Sequence, residues 1–217
     1  MANWGFLTNH AHVLIHVARS PRSTGREIAL ATGITERAAI SVLQDLRRAA
    51  LLIAHRDGRQ NTYKMDLVAL AKHRPWGTSD MDIPQTLVDA TVEGLRRVAA
   101  SGVCVFSESH APSAARRRWG FLTTHALILI HITCHPRATV REIALAVRIT
   151  ERATLGALQD LWAFDIVERQ RHGRRNSYTV NFGRVAAFRR EGTDPDLVPD
   201  PFISSLVDGL LMLRPAQ

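Results

Sequence analysis

The side chains best equipped for chemistry in this chain are arginines, and they gather in two tracts that read almost alike. Arg56-Asp-Gly-Arg-Gln-Asn-Thr-Tyr63 returns as Arg171-His-Gly-Arg-Arg-Asn-Ser-Tyr178. A guanidinium is planar, forked and permanently charged, so it makes two-point contacts to phosphate and guanine that a lysine ammonium cannot. A formal charge of +8 and an isoelectric point near 10.8 point to a nucleic-acid partner. The excess is thinly spread. Residues 4–102 carry 13 basic and 9 acidic side chains, net +4, and residues 119–217 carry 12 and 10, net +2. A few placed arginines, rather than a broad field, must therefore do the binding.

Other reactive side chains lack the spacing that further chemistry needs. His12 and His16 stand one helical turn apart, a metal-chelating separation. In the second tract Leu127 replaces the first of them, and only His131 remains. With His10 and His125, which match each other, these read as helix-surface or interface histidines; a metal sensor is the alternative. Cys104 and Cys134 occupy unrelated positions, so they suggest neither a zinc site nor a disulfide framework. No glycine-rich phosphate loop or nucleophile elbow is present. The expectation is a non-enzyme without cofactor or metal.

The elements that position the arginines come from a repeat. Trp4-Gly-Phe-Leu-Thr recurs as Trp119-Gly-Phe-Leu-Thr, an offset of 115 that also carries Pro21 onto Pro136, Tyr63 onto Tyr178 and Gly94 onto Gly209. No gap is needed, so one unit is duplicated in tandem. At 217 residues, 46% of them hydrophobic, the chain has room for two small cores. Within the first copy, Thr8 can cap a helix with Leu7, Ala11, Leu14, Ile15 and Ala18 on its inner side. Thr24 with Glu27 is a capping box opening a second helix that stops at Gly33, and Thr139 with Glu142 repeats it. Thr35 caps a third helix, with Ala39, Leu43 and Leu46 inward. Ala49 to Arg56, a turn at Asp57-Gly58, and Asn61 to Met65 predict a hairpin. Helices over about Gln85–Ala100 and Pro201–Leu213 carry broad apolar stripes that need a partner, each the obvious one for the other.

Helix, capped helix, turn, helix and basic hairpin, in that order, resemble the winged helix-turn-helix regulators of the MarR-like and ArsR-like type. The resemblance rests on Ile34-Thr-Glu-Arg37, Leu43-Gln-Asp-Leu46 and Gly58-Arg-Gln-Asn-Thr-Tyr63, and on their counterparts Ile149-Thr-Glu-Arg152, Leu158-Gln-Asp-Leu161 and Gly173-Arg-Arg-Asn-Ser-Tyr178. It implies a mainly α fold with small β-hairpin wings. The two winged helix-turn-helix domains, 4–102 and 119–217 around a linker at 103–118, would form an intramolecular pseudo-dimer. It implies double-stranded DNA as partner, the third helix of each copy in the major groove, and an imperfect inverted repeat as target. Base readers would be Arg37 and Gln44 with Arg152 and Gln159; Glu36 and Glu151 accept from cytosine or support the helix start. Thr35, Ser41 and Thr150 complete that surface. Arg56, Arg59, Asn61, Arg171, Arg174, Arg175 and Asn176 would be wing contacts.

Three departures qualify this expectation. The centre of the third helix carries Ile40-Ser41 in one copy and Leu155-Gly156 in the other, where polar readers are expected. Arg148 replaces Gly33 at the turn, which calls for a different turn geometry or strain. Trp162 and Phe164 replace Arg47 and Ala49. Apolar Ile40 and Leu155 favour an alternative, a winged-helix protein-interaction scaffold without base readout; a regulator answering to a small-molecule effector or metal is a third reading. Trp4, Phe6, Trp119 and Phe121 are expected to anchor the first helix of each copy. No apolar run approaches the roughly 18 residues of a membrane helix, and the first residues lack signal-peptide order. A soluble, cytoplasmic protein is expected.

Overall fold

The computed structural model describes residues 4–57, 60–72, 81, 83–99, 104–105, 120–172, 175–188, 194 and 196–215. The first half runs α1 (Asn9–Arg19), α2 (Gly25–Thr32), α3 (Glu36–Arg48), β1 (Leu52–Asp57), β2 (Gln60–Asp66), α4 (Leu67–Lys72) and α5 (Gln85–Val98). After β3 (Cys104–Val105) the order returns as α6 (Thr124–Cys134), α7 (Val140–Val147), α8 (Glu151–Ala163), β4 (Val167–His172), β5 (Arg175–Val180), α9 (Phe182–Ala187) and α10 (Asp200–Leu211). The chain is thus mainly helical, with two small antiparallel hairpins.

Local chemistry sets the helix starts. The hydroxyls of Thr8, Thr24 and Thr35 accept the backbone N–H three residues on, and Thr123, Thr139 and Thr150 do the same in the second half. At Thr24 and Thr139 the glutamate reaches back to the cap N–H, at 2.7 and 2.6 Å, closing both capping boxes. The same contacts, with the threonine hydroxyl, hold the Glu27 carboxyl below its ordinary value. α2 ends on Gly33 in the left-handed region, φ 67° and ψ 31°, and Ile34 N–H returns to the Ala29 carbonyl at 3.1 Å. Arg148 holds φ 57° and ψ 47° at the matching place, and Ile149 N–H returns to Ala144 at 3.0 Å. Of the two outcomes open at Arg148, a new turn geometry is therefore wrong. The turn is kept, and a side chain bears the left-handed backbone.

β1 and β2 pair from Leu52↔Met65 to Asp57↔Gln60, and β4 and β5 from Val167↔Val180 to His172↔Arg175. Each hairpin is tied to the loop after the first helix of its half, Tyr63 N–H to Pro21 and Tyr178 N–H to Pro136, both at 2.8 Å. β3 adds a parallel strand beside β2, so Cys104 and Val105 of the expected linker are part of a sheet. Most of that linker, and most of the connection after Lys72, lie outside the described residues.

α1 and α6 are buried nearly all round, not along one stripe as expected. Val13, Val17 and His12 are as enclosed as Leu14 and Ile15. α5 of the same half packs against α1 as well, and the segments ahead of α1 and α6 cross to the other half. Thr8 N–H bonds to the Phe121 carbonyl at 3.0 Å and Thr123 N–H to Phe6 at 2.9 Å. Their hydroxyls donate to Gly120 and Gly5 at 2.7 and 2.5 Å. α5 crosses α10 with Gly94 against Phe202 and Ser205, and Gly209 against Leu87 and Ala90. Adding 115 to Leu87, Ala90 and Gly94 gives Phe202, Ser205 and Gly209, so each helix offers the matching residues to the other, the reciprocity of a two-fold contact. The run into α10 also lies across the first half: Asp194 N–H meets the Ala31 carbonyl at 3.0 Å, and the Arg19 guanidinium donates to the Asp196 carbonyl. Among the described residues no helix is long and apolar enough to cross a membrane.

Candidate nucleic-acid interface

α3 buries Ala39, Val42, Leu43 and Leu46 and turns its other side outward. Thr35, Glu36, Arg37, Ile40, Ser41, Gln44, Arg47 and Arg48 are all exposed. Arg37, Ser41, Gln44 and Arg48 follow one another at helical spacing, so they share one stripe. α8 presents Thr150, Glu151, Arg152, Leu155 and Gln159 in the same way, with Gly156 half-buried in the place of Ser41. Every predicted residue of the two helices is thus at the surface. Arg47 and Arg48 extend the stripe and escaped the prediction, although their spacing from Gln44 shows it.

A histidine pins each of these helices from behind. His10 Nε2 lies 3.4 Å from Asp45 Oδ2, and His125 Nε2 lies 3.0 Å from Asp160 Oδ2. Burial lowers the His10 pKa, and Asp45 opposes that shift. Asp45 also takes a 2.9 Å contact from Arg48, but that arginine side chain is 72% exposed, so the pair adds little to stability.

On the hairpins, Arg56 stands opposite Asn61 and Arg171 opposite Asn176. Arg56, Asn61 and Arg171 are exposed, whereas Asn176 is half-buried and less available than expected. The predicted contacts Arg59 and Arg174 lie outside the described residues; Arg175 is placed as a strand residue, its side chain outside them.

The halves differ where α3 and α8 end. Arg47 and Arg48 have Trp162 and Ala163 as counterparts, so α8 closes without cations. Trp162 is half-buried under the Arg169 guanidinium, 4.3 Å from the ring centre, and its indole N–H is buried without an acceptor. Phe164 joins a cluster around Trp4. Trp4 stacks on His125 at 4.2 Å and on Phe188 at 4.5 Å, with Phe164 edge-on at 5.7 Å. Beyond the expected anchoring of the first helix, the Trp4 ring, edge-on to Phe6 at 5.6 Å, packs on side chains of the second half. Trp119 lies outside the described residues.

The histidine pair at one-turn spacing is split by its surroundings. His12 is buried, and His16 Nε2 sits 3.0 Å from Ser23 Oγ. Ala138 takes the place of Ser23 in the second half, and His131 Nε2 is buried there without a hydrogen-bond partner. Burial lowers both pKa values, aided by Arg19 at His16 and by His135 at His131. Among the described residues no three His, Cys, Asp or Glu side chains converge as a metal site.

One further feature was missed. Leu30 is 84% exposed and its counterpart Leu145 69% exposed, beside the arginines of α2 and α7. A cavity of about 90 Å³ lies between the halves, walled by Phe6, His12, Leu129, Phe188 and Leu206. No family model, curated protein or solved structure matches this chain.

Proposed function

We propose that this chain is a cytoplasmic transcriptional regulator that binds duplex DNA through two winged helix-turn-helix units paired within one chain. One observation carries the reading. An exposed Arg and Gln recur at the same spacing on α3 and α8, each followed by an arginine-bearing hairpin, in halves that contact each other reciprocally.

In this reading Arg37 and Arg152 take guanine O6 and N7, and Gln44 and Gln159 take adenine N6 and N7. Glu36 and Glu151 accept from cytosine or support the helix start through its dipole. Thr35 and Thr150 already accept a backbone N–H as caps, which leaves their hydroxyl protons for phosphate. Arg56, Asn61, Arg171 and the hairpin-tip arginines hold the backbone or the minor groove. Because α8 lacks counterparts of Ser41, Arg47 and Arg48, the target is an imperfect inverted repeat with a stronger half-site under α3.

Fluorescence anisotropy tests this with the DNA upstream of the chain's own gene and an unrelated duplex, across a salt series. Each phosphate contact contributes about −0.9 to the slope of log affinity against log salt. A preference for the first duplex that collapses in Arg37→Ala/Arg152→Ala, with the helical signal unchanged, supports the proposal. Absence of binding to either duplex at low salt sinks it. The exposed Leu30, Ile40, Leu145 and Leu155 favour a second reading, a protein-interaction scaffold on the same fold.

A further inference from the structure

The apolar side chains at the centre of α3 and α8 break the rule that the outer face of such a helix is polar, and they break it identically. Ile40 is 44% exposed and Leu155 is 45% exposed, at positions 115 residues apart. Between flanks that match, the four residues around them have all changed, Ala39-Ile-Ser-Val42 having become Thr154-Leu-Gly-Ala157. An aliphatic side chain has nonetheless been kept at that one exposed place. Each sits three residues after an exposed arginine and four before an exposed glutamine, as Arg37, Ile40 and Gln44 and as Arg152, Leu155 and Gln159. That spacing puts the three on one stripe in a fixed order. Beside Leu155 the surface is bare, since a Cβ added to Gly156 would meet nothing within 4 Å.

In the major groove only one base edge offers an apolar group, the C5-methyl of thymine. Resting on the DNA-binding reading, we infer that Ile40 and Leu155 are specificity residues. Each half-site contains a T·A pair read through its methyl group, between the base contacts of the neighbouring Arg and Gln. Leu30 and Leu145 lie on α2 and α7, outside this stripe, and take no part.

The test removes the methyl group alone. The full chain is used to select duplexes from a random pool at low salt, and each thymine of the selected site is replaced singly by deoxyuridine. One thymine in each half-site is expected to lose about fourfold in affinity on replacement, the worth of one buried methyl. Ile40→Ala should abolish the thymine-over-uracil preference in one half-site and Leu155→Ala in the other, circular dichroism confirming that both variants fold. Selected binding with no sensitivity to uracil at any position overturns the inference and leaves DNA binding standing. A preference that survives both alanine variants overturns it too, because another residue then reads the methyl. Failure to select any duplex overturns this inference and the DNA-binding reading together, and turns attention to a protein on the Leu30 and Ile40 surface.

Discussion

Arg148 shows how a single residue can carry a cost that its neighbours have already arranged to bear. It holds a left-handed backbone that Gly33 holds without a Cβ. Arg148→Gly is expected to stabilise the protein by about 1 kcal/mol, and Gly33→Ala to destabilise it by a similar amount, both read from urea unfolding. Three histidines add a pH dependence. The pKa values of His10, His16 and His131 are lowered from the ordinary 6.5 mainly by burial. The unfolded chain therefore binds protons first as pH falls, and stability is full above about 6.5 and declines below it. Urea midpoints measured between pH 8 and 5 should fall on the acid side, and His131→Gln should reduce the fall. Threonine caps were legible in the sequence because a cap is a local device with its partner three residues away. The left-handed Ala50 and Asp165 at the exits of α3 and α8 were not, since alanine rarely takes that backbone and Asp, though it takes it more readily, stands opposite an alanine in the other copy.

At the scale of elements, α8 is a helix weakened in its middle for no gain in packing. A Cβ on Gly156 has open space around it, so Gly156→Ala is expected to raise stability by up to about 1 kcal/mol, measured as a shift in the unfolding midpoint. If the gain appears together with weaker DNA binding, the missing side chain serves the approach of the duplex. The long elements could be read in advance because capped helices and alternating strands announce themselves within a dozen residues. α4 and α9, six residues each, are too short to show a period, and β3 exists only by pairing with β2, far back in the chain. The candidate surface was legible for the same reason as the core: helical spacing that buries Leu43 and Leu46 must expose Arg37, Gln44 and Ile40. The partner of Trp4 was not legible, because the ring crosses to residues more than a hundred positions away.

For the molecule as a whole, the crossing of α5 and α10 carries the relation between the halves, and its two glycines are not equivalent. A Cβ on Gly94 would come to 3.1 Å from the Phe202 ring and from the Ser205 Cβ. One on Gly209 would come to 2.7 Å from the Ala90 Cβ, which is fixed to its backbone and cannot rotate away. Gly209→Ala must therefore move a helix, at a cost of about 1–3 kcal/mol, and Gly94→Ala should cost less. On the proposed DNA-binding reading, Gly209→Ala should also weaken binding to a two-half-site duplex more than to a single half-site. Ala90→Gly removes the atom in the way. Combined with Gly209→Ala it should cost less than the two single changes added together, a coupling that a double-mutant cycle measures directly. Additive costs would mean that Ala90 and a side chain at position 209 do not press on each other across this crossing.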